Sequence, residues 1–170
     1  IDGEKDPNNL LLVFGCVPII VQNFTLEPFT EDLFETIARY FPIDFTPPHL
    51  PAGQQVVSKS QLVESLRNCL ASDKSFAPLA IPLFLEKIDS DLDGSKIDAN
   101  LSLIDCLRSG YTPEQIKPHL AELWRTYKKE IMGIGLGKPS SEAEEVTRTS
   151  IKAINAITRQ LSLSSIAGLV

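Results

Sequence analysis

The sequence predicts an all-α, HEAT/armadillo-like helical-repeat solenoid, an α-α superhelix. Three observations predict it: apolar residues recur three and four apart in nearly every segment, helix-start signals punctuate the chain, and the helix pairs resemble one another.

Apolar stripes run along the chain in order. Leu10, Phe14, Val17 and Val21 form the first, and Phe29, Leu33, Ile37 and Phe41 the second. Leu62, Leu66, Cys69 and Leu70 follow. Ile116, Leu120, Leu123, Tyr127 and Ile131 make a long stripe, and Val146, Ser150, Ile154, Ile157 and Leu161 close the series. Spacings of three and four put each set on one helix face. Asp6-Pro7, Ser58 with Gln61, Thr112-Pro113 with Gln115, and Ser141 read as helix starts. The predicted helices are 6–22, 29–41, 58–72, 75–90, 95–109, 112–132 and 141–162. Pro18 is expected to kink the first, because proline removes a backbone donor and crowds the preceding turn.

Asn68-Cys69-Leu70-Ala71-Ser72 resembles Asp105-Cys106-Leu107-Arg108-Ser109, and each stretch precedes a proline-bearing second helix. Cys16 precedes Pro28 in the same way. The step from Cys69 to Cys106 is 37 residues, close to the HEAT period of about 40–47. Repeats are therefore expected at about 6–45, 56–90, 93–133 and 141–170, the last incomplete, with inter-helix loops at 44–57 and 133–140. The apolar tail Ile166 to Val170 reads as the cut end of a longer array.

Composition narrows the function. About 43% apolar residues can form a core, and the formal net charge is −6. Nucleic-acid binding draws most of its affinity from Lys and Arg on phosphates, yet no basic run exceeds Lys128-Lys129. Direct DNA or RNA binding is not expected. No signal-peptide pattern opens the chain, and the longest uncharged apolar stretch, Leu10 to Val21, has 12 residues. A membrane helix needs about 20. Cys16, Cys69 and Cys106 are widely spaced, which fits reduced intracellular thiols. Their common place in the repeat reads them as small core residues rather than metal ligands.

Two motifs resemble ligand sites and fall short of them. Asp89-Ser90-Asp91-Leu92-Asp93-Gly94 matches the first six positions of a calcium loop, but Asn100 stands where the bidentate Glu belongs and Lys96 where an aliphatic residue belongs. An acidic turn is expected, with Asp93 or Ser95 capping the next helix. A calcium-responsive module over residues 89–100 is the alternative. Gly133 to Lys138 has a P-loop flavour but lacks the first glycine and the Ser/Thr, so it reads as a loop. His49 and His119 form no triad with a nucleophile. Trp124 and Tyr127 read as packing residues. No catalytic residue, cofactor or metal site is assigned. The stiff segment Arg39 to Pro48 reads as a linker or a partner ridge, and Asp44, Phe45, Lys128 and Lys129 are the candidate partner contacts.

Long, unusual motifs then carry a family resemblance. Ile1-Asp2-Gly3-Glu4-Lys5-Asp6-Pro7 with Asn9-Leu10-Leu11, Glu31-Asp32-Leu33-Phe34-Glu35, Tyr40-Phe41-Pro42-Ile43-Asp44-Phe45-Thr46-Pro47-Pro48, and Pro82 to Ser90 resemble the HEAT-repeat family named for methyl-methanesulfonate sensitivity and nucleotide excision repair. The resemblance covers roughly residues 1–105. It implies a non-enzymatic scaffold of the cytosolic iron–sulfur assembly targeting complex. Such a scaffold delivers clusters to apo-proteins of DNA replication, repair and transcription, among them helicases and polymerases, in cytoplasm and nucleus. A HEAT scaffold of the transport or phosphatase type is the competing expectation.

Overall fold

The computed structural model describes residues 3–46, 57–133 and 140–167. The described residues form eight α-helices and no strand. They are α1 (Pro7–Asn23), α2 (Thr30–Ala38), α3 (Lys59–Leu70), α4 (Ala77–Ile88), α5 (Asp93–Ser109), α6 (Pro113–Ile116), α7 (Leu120–Gly133) and α8 (Ser141–Ala167). The all-α helical-repeat class predicted from the stripes is the class observed. None of these helices is long and apolar enough to cross a membrane. The chain divides into two compact units, Ile1–Phe76 and Ala77–Val170. The glycine-rich stretch 134–138, Pro47, Pro48 and His49 lie outside the described residues.

In the first unit α1 and α3 are the packed pair. Asp6 caps α1 by accepting a bond from the Asn8 N–H at 2.8 Å, and Pro7 occupies the first turn. Leu10, Phe14 and Val17 are buried, while Val21 is only partly covered. The helix runs through Pro18. Proline has no N–H to give the carbonyl four residues back, which is that of Phe14. That carbonyl instead accepts the Cys69 thiol from α3 at 2.9 Å. Burial, the chief cause, pushes the Cys69 thiol up to about 12. Ser58 and Gln61 form the predicted capping box on α3: the Gln61 N–H donates to Ser58 Oγ at 3.2 Å, and the Ser58 N–H donates to Gln61 Oε1 at 2.8 Å. Leu62, Leu66, Cys69 and Leu70 are all buried, as their spacing predicts.

Three expectations fail here. Phe29 is 64% exposed, because it is the cap residue and α2 starts only at Thr30. The buried face of α2 is therefore Phe34 and Ile37, and the Phe34 ring meets Phe76 at 5.7 Å between centroids. The helix also ends at Ala38, and Phe41 N–H closes a tighter turn on the Ala38 carbonyl ahead of Pro42. Cys16 is exposed. It lies two residues from Phe14 on a helix whose buried stripe passes through Phe14 and Val17, so of the three thiols expected in the core only Cys69 and Cys106 are buried.

The second unit centres on α4 and α5. α4 buries Ala77, Ala80, Ile81, Phe84, Leu85 and Ile88, and passes through Pro82. α5 begins at Asp93, with Leu92 before it and no side-chain cap bond. The expected caps therefore do other things: Asp93 sits in the first turn, where the positive helix end favours a carboxylate, and Ser95 is buried. At the other end Gly110 takes φ 139, a conformation that disfavours side chains, so its N–H and that of Tyr111 both reach the Cys106 carbonyl at 3.2 and 3.1 Å. The predicted helix 112–132 is broken. Pro118 cannot donate to the carbonyl of Glu114, and residues Lys117–His119 form a 3-10 turn between α6 and α7. α8 starts one residue earlier in its cap than expected, with Ser140 Oγ accepting the Ala143 N–H at 3.0 Å, and it continues to Ala167.

A buried polar hub joins α5, α7 and α8. Tyr127 Oη donates to Asn100 Oδ1 at 2.8 Å, and Asn100 Nδ2 donates to Ser150 Oγ at 3.1 Å and Thr149 Oγ1 at 3.4 Å. All four residues are buried. A buried polar group left without a partner costs about 1–3 kcal/mol, so Asn100 binds three helices into one register. At the edge of this packing the half-buried Lys96 ammonium bonds the Glu130 carboxylate at 2.9 Å.

Three outcomes are expected. Asn100→Ala strands the Tyr127 hydroxyl and lowers unfolding stability by about 2–4 kcal/mol, whereas Tyr127→Phe costs only about 1; urea denaturation of each variant checks this. Cys69→Val removes the donor to the Phe14 carbonyl and costs about 1–3 kcal/mol, Cys69→Ser costs less, and Pro18→Ala relieves part of the Cys69→Val penalty by restoring an N–H; a double-mutant cycle measures that coupling. In this chain at pH 8, iodoacetamide modifies Cys16 first and reaches Cys69 only on unfolding, as peptide mapping would show.

Candidate functional site

The first unit carries a cleft of about 570 Å³ built from two segments some forty residues apart. One wall is the approach to α1. Gly3, at φ 84, turns the chain in a region that favours glycine. The Glu4 carboxylate then gathers three donors: the N–H groups of Lys5 and Asp6 at 2.8 and 2.9 Å and the Asn9 side-chain amide at 3.0 Å. These bonds, the Asp6 N–H foremost, hold the Glu4 carboxyl below the usual carboxylate range, and the Asn8 N–H does the same for Asp6. The wall is thus a pre-folded, negatively charged turn.

The opposite wall is the segment after α2. Arg39, Tyr40, Pro42, Ile43, Asp44 and Phe45 line it. Tyr40 is fixed by an edge-on contact with Phe14, ring centroids 5.7 Å apart at 72°. Ile43 is buried and anchors the segment, which leaves Asp44 exposed and Phe45 half-buried at the rim. The buried side chains of Leu10 and Leu62 form the floor. Both signs of charge, two aromatic rings and an apolar floor suit recognition of a protein segment. Among the described residues the lining holds no histidine, cysteine, serine or threonine.

Asp44 and Phe45 thus meet in one cleft. Lys128 and Lys129 stand together on α7 in the other unit, and both are exposed. Lys129 is engaged within its own unit: its ammonium bonds the Asp89 carboxylate, which holds Lys129 above the usual lysine range. The sequence reading missed Glu4, Lys5 and Arg39 as wall residues. The signal for them existed, since residues 3–10 and 39–45 belong to the two motifs that stand out most. Trp124 overturns a different expectation. It is 66% exposed and does not pack, while Tyr127 is buried. Three positions separate them, and only the Tyr127 side points into the hub.

The calcium-loop alternative fails on geometry. A calcium loop wraps its ligands around the ion before the exiting helix begins. Here α5 starts at Asp93, the fifth position, Asp89 is paired with Lys129, and Asn100 at the twelfth is spent in the hub. Among the described residues no three His, Cys, Asp or Glu side chains cluster as metal ligands.

Comparison with known proteins matches residues 1–133 to the family described as Dos2-interacting transcription regulator of RNA-Pol-II, MMS19_N. The chain is 38% identical over 164 residues to the MMS19 nucleotide excision repair protein homolog of Xenopus tropicalis, 37% to that of Homo sapiens, and 31% over 175 residues to that of Arabidopsis thaliana. These alignments cover 96%, 96% and 94% of the chain but 15% of each relative, so the chain spans about 15% of the length of the curated relatives it matches. The similarity reaches well past residue 105, where recognisable motifs end. With the all-α fold and both motif segments in place, the chain belongs to the MMS19 N-terminal family.

Proposed function

We propose that this chain is part of a non-enzymatic scaffold that serves DNA repair and transcription through iron–sulfur protein maturation, in cytoplasm and nucleus. In this reading the whole protein holds the cytosolic iron–sulfur assembly targeting proteins beside client apo-proteins such as DNA helicases and polymerases. Holding both raises the effective concentration of one for the other without any chemistry by the scaffold. The chain takes no cofactor of its own and meets proteins rather than nucleic acid.

One observation carries the reading: the two most distinctive motifs converge on a single cleft whose lining suits protein recognition. The relatives' names, nucleotide excision repair protein homologs, and the family's description as a transcription regulator agree with a repair and transcription role. The net charge of −6 supports protein partners over nucleic acid.

Affinity purification of the full-length protein from cells tests it. Iron–sulfur assembly proteins and cluster-bearing helicases or polymerases are expected in the eluate. Asp44→Lys with Phe45→Ala, both at the cleft rim, is expected to reduce one of these groups by about tenfold while leaving the melting temperature within a few degrees. Recovery of transport receptors or phosphatase subunits in their place would sink the proposal.

A further inference from the structure

The second unit carries a groove of about 390 Å³ between the end of α5 and the middle of α8. Its charged lining is wholly basic: Arg108 from α5, and Lys152 and Arg159 from α8. Among the described residues no carboxylate lines it, in a chain whose acids outnumber its bases by 22 to 16. Lys152 and Arg159 are seven positions apart, so one helix face presents both. Both are exposed, and neither pairs with a carboxylate among the described residues. Arg108 makes a long contact of 3.7 Å with Asp105 on its own helix.

The backbone acceptors beside these cations are already occupied. The Cys106 carbonyl takes the N–H groups of Gly110 and Tyr111, and the Tyr111 carbonyl takes the Gln160 amide at 2.9 Å. That bond uses Gln160 Nε2 as donor, and Gln160 itself lines the groove. Asn155 adds a second amide, and Leu107 and Ala156 supply an apolar floor.

We infer that this groove is a docking site for an acidic peptide segment of a partner protein. Three cations in an amide-lined trough match carboxylates spaced along an extended chain, and the amides match its backbone. A nucleic acid fits worse: among the described residues the lining has no aromatic ring to stack a base. The site stands apart from the iron–sulfur reading, since it requires only acidity of its partner.

Fluorescence anisotropy of the full-length protein with a labelled oligoglutamate peptide tests the inference, with labelled oligothymidylate and oligolysine as comparison probes. Oligoglutamate is expected to bind, to weaken as salt rises, and to lose about tenfold in affinity in the Lys152→Glu/Arg159→Glu protein. Lys152→Gln/Arg159→Gln, a milder change at two exposed positions, is expected to show a smaller loss with an unchanged circular-dichroism melt. Absence of oligoglutamate binding, binding indifferent to both double variants, or tighter binding of oligothymidylate that the same variants abolish would each overturn it. Client recovery from cells is a separate measurement, so failure here leaves the scaffold reading standing.

Discussion

A helix with one apolar stripe can bury it only against another helix, and each unit of this chain is organised by that constraint. Apolar burial is non-directional, so it brings helices together without fixing their register. Two buried polar contacts supply what burial lacks. In the first unit the thiol of Cys69 meets the carbonyl that Pro18 leaves without an N–H. In the second, Asn100 engages Tyr127, Thr149 and Ser150 from two other helices. Each contact is modest when made and costly when broken. A slide of α3 along α1, or of α8 along α5, therefore loses a polar bond as well as contact area.

Much of this was legible from the sequence where the governing physics is local. The Ser58–Gln61 cap and the stripe Leu62, Leu66, Cys69, Leu70 depend on residues within a few positions of one another, and both form as expected. Phe29 and Trp124 were misjudged for another reason. A periodic pattern states which residues share a face, but not which member of the stripe falls beyond the helix end or over its rim. Phe29 is lost from the core by one residue of helix start. Trp124 shares an apolar segment with Tyr127, yet the two leave α7 in different directions. The break at Pro118 was available locally, but the stripe on either side of it continues through Ile116, Leu123 and Tyr127, which masks the interruption.

The candidate site divides the same way. Asp44 and Phe45 stood out because proline and aromatic residues stiffen their segment. Glu4 and Lys5 stand in a motif as distinctive, but the pairing of residues 3–10 with 39–45 is tertiary and leaves no periodic trace. The acidic run from Asp89 shows the converse error that a motif invites. Its spacing imitates a calcium loop, but helix formation from Asp93 and the burial of Asn100 give those residues structural work. Residue spacing becomes a ligand set only when the backbone between the ligands is free to curl around an ion.

The distribution of charge bears on what the chain can recognise. An acidic protein repels polyanions at long range, yet screening confines that repulsion to about 8–10 Å in physiological salt. Within that distance local lining decides. The first unit's cleft mixes Glu4 and Asp44 with Lys5 and Arg39, which favours a partner surface of mixed sign. The second unit's groove gathers Arg108, Lys152 and Arg159 without a carboxylate, which favours an acidic strand. A scaffold that engages several partners gains from this difference. Two sites of unlike charge discriminate between ligands by repulsion as well as by attraction.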